Sequence, residues 1–261
     1  MAVRVGVFGA AGKMGSTVCG AVLADADLEL VAAVDPGAPG APLRTVAGVD
    51  SDLDIAARPE HLDETPEVMI DFTHLDAARA NVAWCAERGV HAVVGTTGFD
   101  DDDLARFRAA FTRSNCLIVA NFAIGAVLMM RFAEMAAPWF DTAEIIELHH
   151  DTKLDAPSGT AIRTAERMAA ASHDWAPDPT TTEVVGGARG GAGPAGIRLH
   201  SVRMRGMVAH QEVVLGATGQ TLTIRHDSYD RTSFMPGVVL AAKGVDGLSG
   251  LTLGLDALLD R

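Results

Sequence analysis

Val3-Arg4-Val5-Gly6-Val7-Phe8-Gly9-Ala10-Ala11-Gly12-Lys13-Met14-Gly15 is a short apolar run with β-branched residues, then a glycine-spaced turn, then the opening of a helix. Small residues in such a turn let the backbone approach a pyrophosphate. The helix that follows offers N–H groups and the positive end of its dipole. Asp35 closes the next apolar run, twenty residues after Gly15, where a carboxylate can accept hydrogen bonds from an adenosine ribose. A glycine turn alone would be weak, since many turns need glycine for shape only. In strand–turn–helix context and with Asp35 in place, it marks a dinucleotide site built from Gly9, Ala10, Ala11, Gly12, Lys13, Met14 and Asp35. Asp35 disfavours a 2′-phosphate, and Pro36-Gly37 brings no Arg to offset it. NADH is therefore favoured, with Lys13 leaving NADPH open.

Working outward, the first part of the chain alternates strand and helix patterns. Strands are expected over Val3–Phe8, Leu28–Val34, 67–72, His91–Val94 and 116–120, with helices over Lys13–Ala24, 74–88 and 101–113. Alternation of this kind implies a parallel sheet with crossover helices, and near-continuous apolar strands fit a sheet covered on both faces. Gly95, Thr96 and Thr97 follow the fourth strand, and Val119, Ala120, Asn121 and Phe122 follow the fifth. Ligands of open parallel sheets lie along that edge. Both loops are therefore assigned to the nicotinamide half of the cofactor, against the plainer reading of ordinary turns.

The pattern then changes. A helix is expected over 127–137 and a strand over 143–149, followed by a helix over 160–171. Antiparallel strands are expected over 197–205, 209–215 and 221–226, the last two joined by a turn at Gly216-Ala217-Thr218-Gly219. The glycine-rich stretch 186–196 reads as a mobile loop. A helical signal returns at 236–243, and a tail over 251–259 could pack back onto the first domain. The expected class is α/β: a Rossmann-like parallel-sheet domain (1–122 and 232–261) and a second α+β domain with a mostly antiparallel sheet (123–231).

Composition bounds the partners. The chain has 261 residues, 48% of them hydrophobic, and a net charge of −13. That charge argues against a nucleic acid, whose backbone needs clustered Lys and Arg. No apolar run approaches the ~20 residues of a membrane span, and the opening residues read as a strand rather than a signal peptide. A cytoplasmic protein is expected. Cys19, Cys85 and Cys116 are odd in number and widely spaced, so buried thiols are expected rather than disulfides or zinc ligands.

A second stretch carries the chemistry: Glu147-Leu148-His149-His150-Asp151-Thr152-Lys153-Leu154-Asp155-Ala156-Pro157-Ser158-Gly159-Thr160-Ala161. Two imidazoles and an ammonium lie just before a Pro-Ser-Gly-Thr turn that opens a helix. Proton donors thus adjoin an anion cradle, in which N–H and hydroxyl groups at Gly159 and Thr160 could hold a carboxylate. Adjacent residues of a strand point to opposite faces, so His149 and His150 would not share a metal without a break, and no metal is expected. Lys153 could equally be a solvated lysine and Ser158 a plain helix cap; the neighbourhood favours function. Arg203, Arg205, Arg225, His226 and Arg231 cluster nearby, and one could add charge to the anion pocket.

These motifs resemble the 4-hydroxy-tetrahydrodipicolinate reductase (dihydrodipicolinate reductase) family of lysine and diaminopimelate biosynthesis. The turn at 9–15, the loop at 95–98, Asn121-Phe122 and above all the 147–161 string carry the resemblance across both domains. It implies an NAD(P)H-dependent oxidoreductase acting on a cyclic dicarboxylate. It implies His149 as proton donor and acceptor, Lys153 as proton donor, and His150, Ser158, Gly159 and Thr160 as substrate contacts. It also implies a homotetramer assembled through the second domain's sheet, with the C-terminal segment returning to the cofactor domain. Ala120 stands where many members have Pro, and Ala123 where many have Ser. Two rivals are another two-domain NAD(P)-dependent dehydrogenase, such as one acting on an amino acid semialdehyde, and a non-catalytic dinucleotide sensor. The first has no need of the His149–Thr160 string, and the second would keep Gly9–Gly15 and could dispense with Lys153.

Overall fold

The computed structural model of the chain describes residues 1–260. In chain order come β1 (Val3–Phe8), α1 (Lys13–Ala24), β2 (Leu28–Val34), a short α2 (Leu43–Ala47), β3 (Val68–Asp71), α3 (Leu75–Arg88), β4 (His91–Val94), α4 (Asp101–Ala110) and β5 (Cys116–Ile118). Next are α5 (Ile124–Ala136), β6 (Thr142–His149), α6 (Gly159–Ala171), β7 (Gly191–Ala192), β8 (Arg198–Arg203), β9 (Ala209–Ala217) and β10 (Gln220–Ser228). Last are α7 (Met235–Gly244), β11 (Leu251–Leu253) and α8 (Asp256–Leu259). The chain divides into two compact units, Met1–Ala123 with everything from Arg231 onward, and Ile124–Asp230.

The first unit holds a parallel sheet in the order β11-β5-β4-β3-β1-β2. Its strands are apolar because both faces are covered: every residue of β3 and of β5 is buried. Phe8 meets Trp84 of α3 edge-on, with centroids 6.1 Å apart. Cys19, Cys85 and Cys116 are free and buried. Burial pushes the Cys19 thiol up to about 12 and raises the other two well above the ordinary range, so all three are poor nucleophiles. The tail returns to this sheet: Leu251–Leu253, to which the sequence reading gave no secondary structure, is the sixth strand, parallel to β5. A three-residue strand is too short to show a period of its own. Strand order reverses between β1 and β3, and this switch point is where ligands bind open α/β sheets.

The second unit holds a sheet in the order β10-β9-β6-β8-β7. Thr218 and Gly219 make the two-residue turn between β9 and β10, with Gly219 at φ 81°. Most pairs are antiparallel, but β6 and β8 are parallel. The reason is connectivity: α6 carries the chain back between them, as parallel neighbours require. Residues 186–196 are not featureless either. They include β7, paired with β8, and a 3-10 turn over Pro194–Gly196. Ala143, Ile145 and Glu147 of β6 share a buried face with Gln211, Val213 and Leu215 of β9. Helix α6 covers it with Ala161, Thr164, Ala165 and Met168, the i, i+3, i+4, i+7 stripe of an amphipathic helix. Gln211 Nε2 donates to Thr164 Oγ1 at 2.8 Å across that contact. Glu147 is therefore a carboxylate at a core position.

Candidate active site

The carboxyl ends of the parallel strands carry the first group of residues. Gly9 lies at φ +76°, in the left-handed region, and a Cβ on Gly15 would fall 1.9 Å from the Gly9 carbonyl oxygen. Only glycine at Gly15 lets α1 start that close to the turn. Helix α1 has no side-chain cap; its N-cap is Gly12. Its first N–H groups thus have no acceptor from the cap residue's side chain, as a pyrophosphate cradle requires. Asp35 reaches that turn: its carboxylate accepts from Ala11 N at 3.0 Å and Gly37 N at 2.8 Å. Lys13 is exposed at the helix start.

The other two predicted loops meet on a segment that the sequence reading did not single out, Asp71-Phe72-Thr73 at the end of β3. A Cβ on Gly9 would touch the Phe72 carbonyl oxygen at 3.0 Å, and one on Gly95 would fall 2.2 Å from the Phe72 ring. That ring also packs against Phe122, centroids 5.4 Å apart. Asp71 is buried and accepts from Thr73 N, Thr73 Oγ1, Asn81 Nδ2 and Thr96 Oγ1, at 2.9, 2.7, 2.7 and 3.0 Å. It pins the Gly95–Thr96 loop to β3 and α3. Thr97 is exposed. Val119 N donates to Val94 O at 2.9 Å, and Asn121 Oδ1 accepts from Ala123 N at 2.9 Å. Val119 and Phe122 are buried, whereas Ala120 is exposed. The available signal for this hub was a lone Asp closing an apolar strand.

The second unit holds the other group, organised around Glu147, which is 0% exposed. Its Oε1 accepts from Ser158 N at 3.2 Å and Arg203 Nη2 at 2.8 Å. Its Oε2 meets Arg203 Nη1 at 2.8 Å and His149 Nδ1 at 2.5 Å. Parallel pairing of β6 with β8 sets this up by placing Glu147 beside Ser201 and His149 beside Arg203. Burial raises the Glu147 pKa, but Arg203, Ser201 and His149 together bring it below the usual carboxylate range. Burial also lowers the His149 pKa. Glu147 opposes that, while Lys153 and Arg203 reinforce it, and the net direction is down. The ring is thus neutral at pH 7, with Nδ1–H given to Glu147 and Nε2 left basic.

Lys153 Nζ donates to both oxygens of Asp155, at 2.7 and 2.8 Å. Its N–H closes a turn on the His150 carbonyl at 3.2 Å. His150 is exposed and its Nδ1 meets Thr152 Oγ1 at 2.7 Å, so the two histidines have separate partners. Ser158 caps α6 by accepting from Ala161 N at 3.2 Å. Gly159 and Thr160 are the first residues of α6, and a Cβ on Gly159 would meet nothing within 4 Å. The helix start therefore opens to a ligand with N–H groups and the positive dipole end forward. Of the basic cluster, Arg203 is committed to Glu147, Arg205 pairs with Asp151, and Arg225 pairs with Asp227 and Glu212. Among the described residues no three His, Cys, Asp or Glu side chains are grouped to hold a metal ion. No helix among them is long and apolar enough to cross a membrane.

Comparisons with known proteins bear on both units. Residues 3–122 match the family profile described as "Dihydrodipicolinate reductase, N-terminus", and residues 125–259 match "Dihydrodipicolinate reductase, C-terminus". A 4-hydroxy-tetrahydrodipicolinate reductase of Nocardia farcinica is 50% identical over 100% of both chains. One from Mycobacterium marinum is 49% identical over 98% of this chain and 99% of its own. Among solved structures, a dipicolinate-bound dihydrodipicolinate reductase from Paenisporosarcina sp. TG-14 superimposes with a TM-score of 0.87. Identity is 38%, over 98% of this chain and 99% of the other.

Proposed function

Because the chain belongs to the dihydrodipicolinate reductase family, we propose that it reduces 4-hydroxy-tetrahydrodipicolinate, by way of dihydrodipicolinate, to tetrahydrodipicolinate in lysine and diaminopimelate biosynthesis. The observation that carries this reading is the gathering of His149, Lys153 and the Ser158-Gly159-Thr160 turn on one end of β6 and α6. The first unit is the dinucleotide-binding domain. The second is the substrate-binding domain and the one through which a homotetramer forms, with the open side of its sheet presenting the half-buried Ile146, Leu148 and Val214.

Bound NAD(P)H supplies a hydride from its nicotinamide. The turn Gly9–Met14 and Asp35 hold the adenosine and pyrophosphate, and the loops Gly95–Thr97 and Val119–Phe122 flank the nicotinamide. Val119 and Phe122 are buried, so they contribute backbone and shape. Asp35 favours NADH by accepting from ribose hydroxyls and repelling a 2′-phosphate. The second unit meets the charge that hydride addition leaves on the conjugated imine of the substrate. Lys153 Nζ faces that charge as an ammonium and gives up the proton that completes the reduction. His149 Nε2, basic and close to Lys153, takes and returns protons between turnovers. His150, Ser158, Gly159 and Thr160 fix the substrate, with one carboxylate at the start of α6.

The test is direct. Purified protein is mixed with freshly made 4-hydroxy-tetrahydrodipicolinate and NADH or NADPH, and loss of reduced-nicotinamide absorbance is followed. Turnover, faster with NADH, is expected; no turnover with either nucleotide rejects the reading.

A further inference from the structure

Glu147 occupies a core position of the second unit's sheet. It continues the buried face of Ala143 and Ile145 under α6, yet it is a carboxylate with 0% exposure. A buried ion pair is a poor way to stabilise a core, because a well-packed apolar pair of similar volume does as well or better. What sets Glu147 apart is the identity of its partners. Besides Ser201 of β8, one oxygen holds Ser158 N, the N-cap of α6, and the other holds His149 Nδ1, while Arg203 grips both. Arg203 in turn holds the Asp155 carbonyl at 2.7 Å. A single carboxylate thus touches the proton-handling histidine, the helix start and, through Arg203, the loop of Lys153.

We propose that Glu147, clamped by Arg203, is a positioning residue that fixes the tautomer of His149 and locks its ring in register with the Gly159–Thr160 turn. An ionised carboxylate can only accept, so Nδ1 must donate and Nε2 is left bare. Arg203 enforces this, since a guanidinium does not give up its proton and both Glu147 oxygens face its donors. The charged groups facing His149 are Glu147 from its own strand, Arg203 from β8 and Lys153 from the following loop. Of these only Glu147 favours the protonated ring. The kinetic consequence rests on the reductase reading; the tautomer does not.

The experiment is nitrogen-15 NMR of the imidazoles in the full chain, with the His149 signals assigned by their loss in His149→Gln, alongside steady-state kinetics. Wild type is expected to show Nδ1–H and bare Nε2 on the neutral ring. In Glu147→Gln the carboxamide presents N–H to Nδ1, so the ring should switch to Nε2–H. The kcat should fall about 10- to 100-fold, as when the orienting partner of a functional histidine is lost. The acid limb of the kcat/KM profile should move to lower pH, because the group that favours His149 protonation is gone. If that variant does not fold, Glu147→Gln with Arg203→Met removes both charges of the pair and should show the same switch. Nε2–H in the wild type, or an unchanged tautomer in a folded variant, overturns the proposal. Absent wild-type turnover would instead reject the reductase reading and leave the tautomer result standing.

Discussion

Lys153 shows what one side chain contributes. Its ammonium rests on Asp155, whose carboxylate is 67% exposed. A substrate carboxylate or a developing negative charge can therefore compete for the same donors at small cost, as exposed ion pairs are weak. Lys153→Ala should lower kcat by about 10²- to 10⁴-fold, the range of a positioned general acid. A change smaller than threefold in steady-state rates would remove Lys153 from that role. Asp35→Ser should raise the NADPH to NADH ratio of kcat/KM by about tenfold, equal to ~1.4 kcal/mol. An unchanged ratio would show that the carboxylate does not read the ribose. At this scale the two strings stood out because their chemistry is local: a glycine turn, a capped helix start, two imidazoles and an ammonium. The partners of Glu147 and Asp71 were not readable. They lie across strands and loops, Arg203 at 56 residues' distance for one and Thr96 at 25 for the other.

Elements place these residues by close packing. Helix α1 starts where it does because Gly15 has no side chain to strike the Gly9 carbonyl. Gly15→Ala should force the helix away from the turn, destabilising the protein by about 1–3 kcal/mol and weakening nucleotide binding. Denaturant unfolding and nucleotide fluorescence titration measure the two effects, and a variant with wild-type values for both would contradict the cradle. Strand alternation was readable from periodicity, and so was the parallel direction of the first sheet; in the second sheet the direction of β8 against β6 was not. The β6–β8 pair is parallel because α6 separates the two strands in sequence, a βαβ logic that the alternating faces of β8 concealed. Strand β11 escaped for a simpler reason. Three residues carry no period, and they become a strand only because the β5 edge offers Cys116, Leu117 and Ile118 as partners.

At the scale of the molecule, the chain's return to its first unit matters. Helix α7 lies so close to the loop after β5 that a Cβ on Gly237 would fall 2.0 Å from the Phe122 carbonyl oxygen. The tail therefore supports a loop assigned to the cofactor. Ending the chain at Gly247 removes β11 and exposes the β5 edge, an unsatisfied template for pairing with other chains. The expected outcome is a Tm lowered by more than about 5 °C with loss of nucleotide binding; unaltered melting would show that the sixth strand is dispensable. Acid should also unfold the protein in a defined window. Arg79 and the helix-cap bond to Asp100 hold Asp103 down to about 2, and Thr180, Arg189 and Arg198 do the same for Asp178. Both pKa values are depressed, so this contribution is complete above the ordinary Asp value of 3.8 and is lost as pH falls through about 2. Circular dichroism against pH should show unfolding there, less sharply in Asp103→Asn.

On the proposed function, the first unit's nucleotide and the second unit's acid serve one hydride transfer. NADH carrying deuterium at both C4 positions, incubated with enzyme and 4-hydroxy-tetrahydrodipicolinate, tests it most directly by mass spectrometry of the product. The expected product is tetrahydrodipicolinate bearing one deuterium from the nucleotide, formed far more slowly by Lys153→Ala. Product without label, or no nucleotide-dependent product at all, would contradict it.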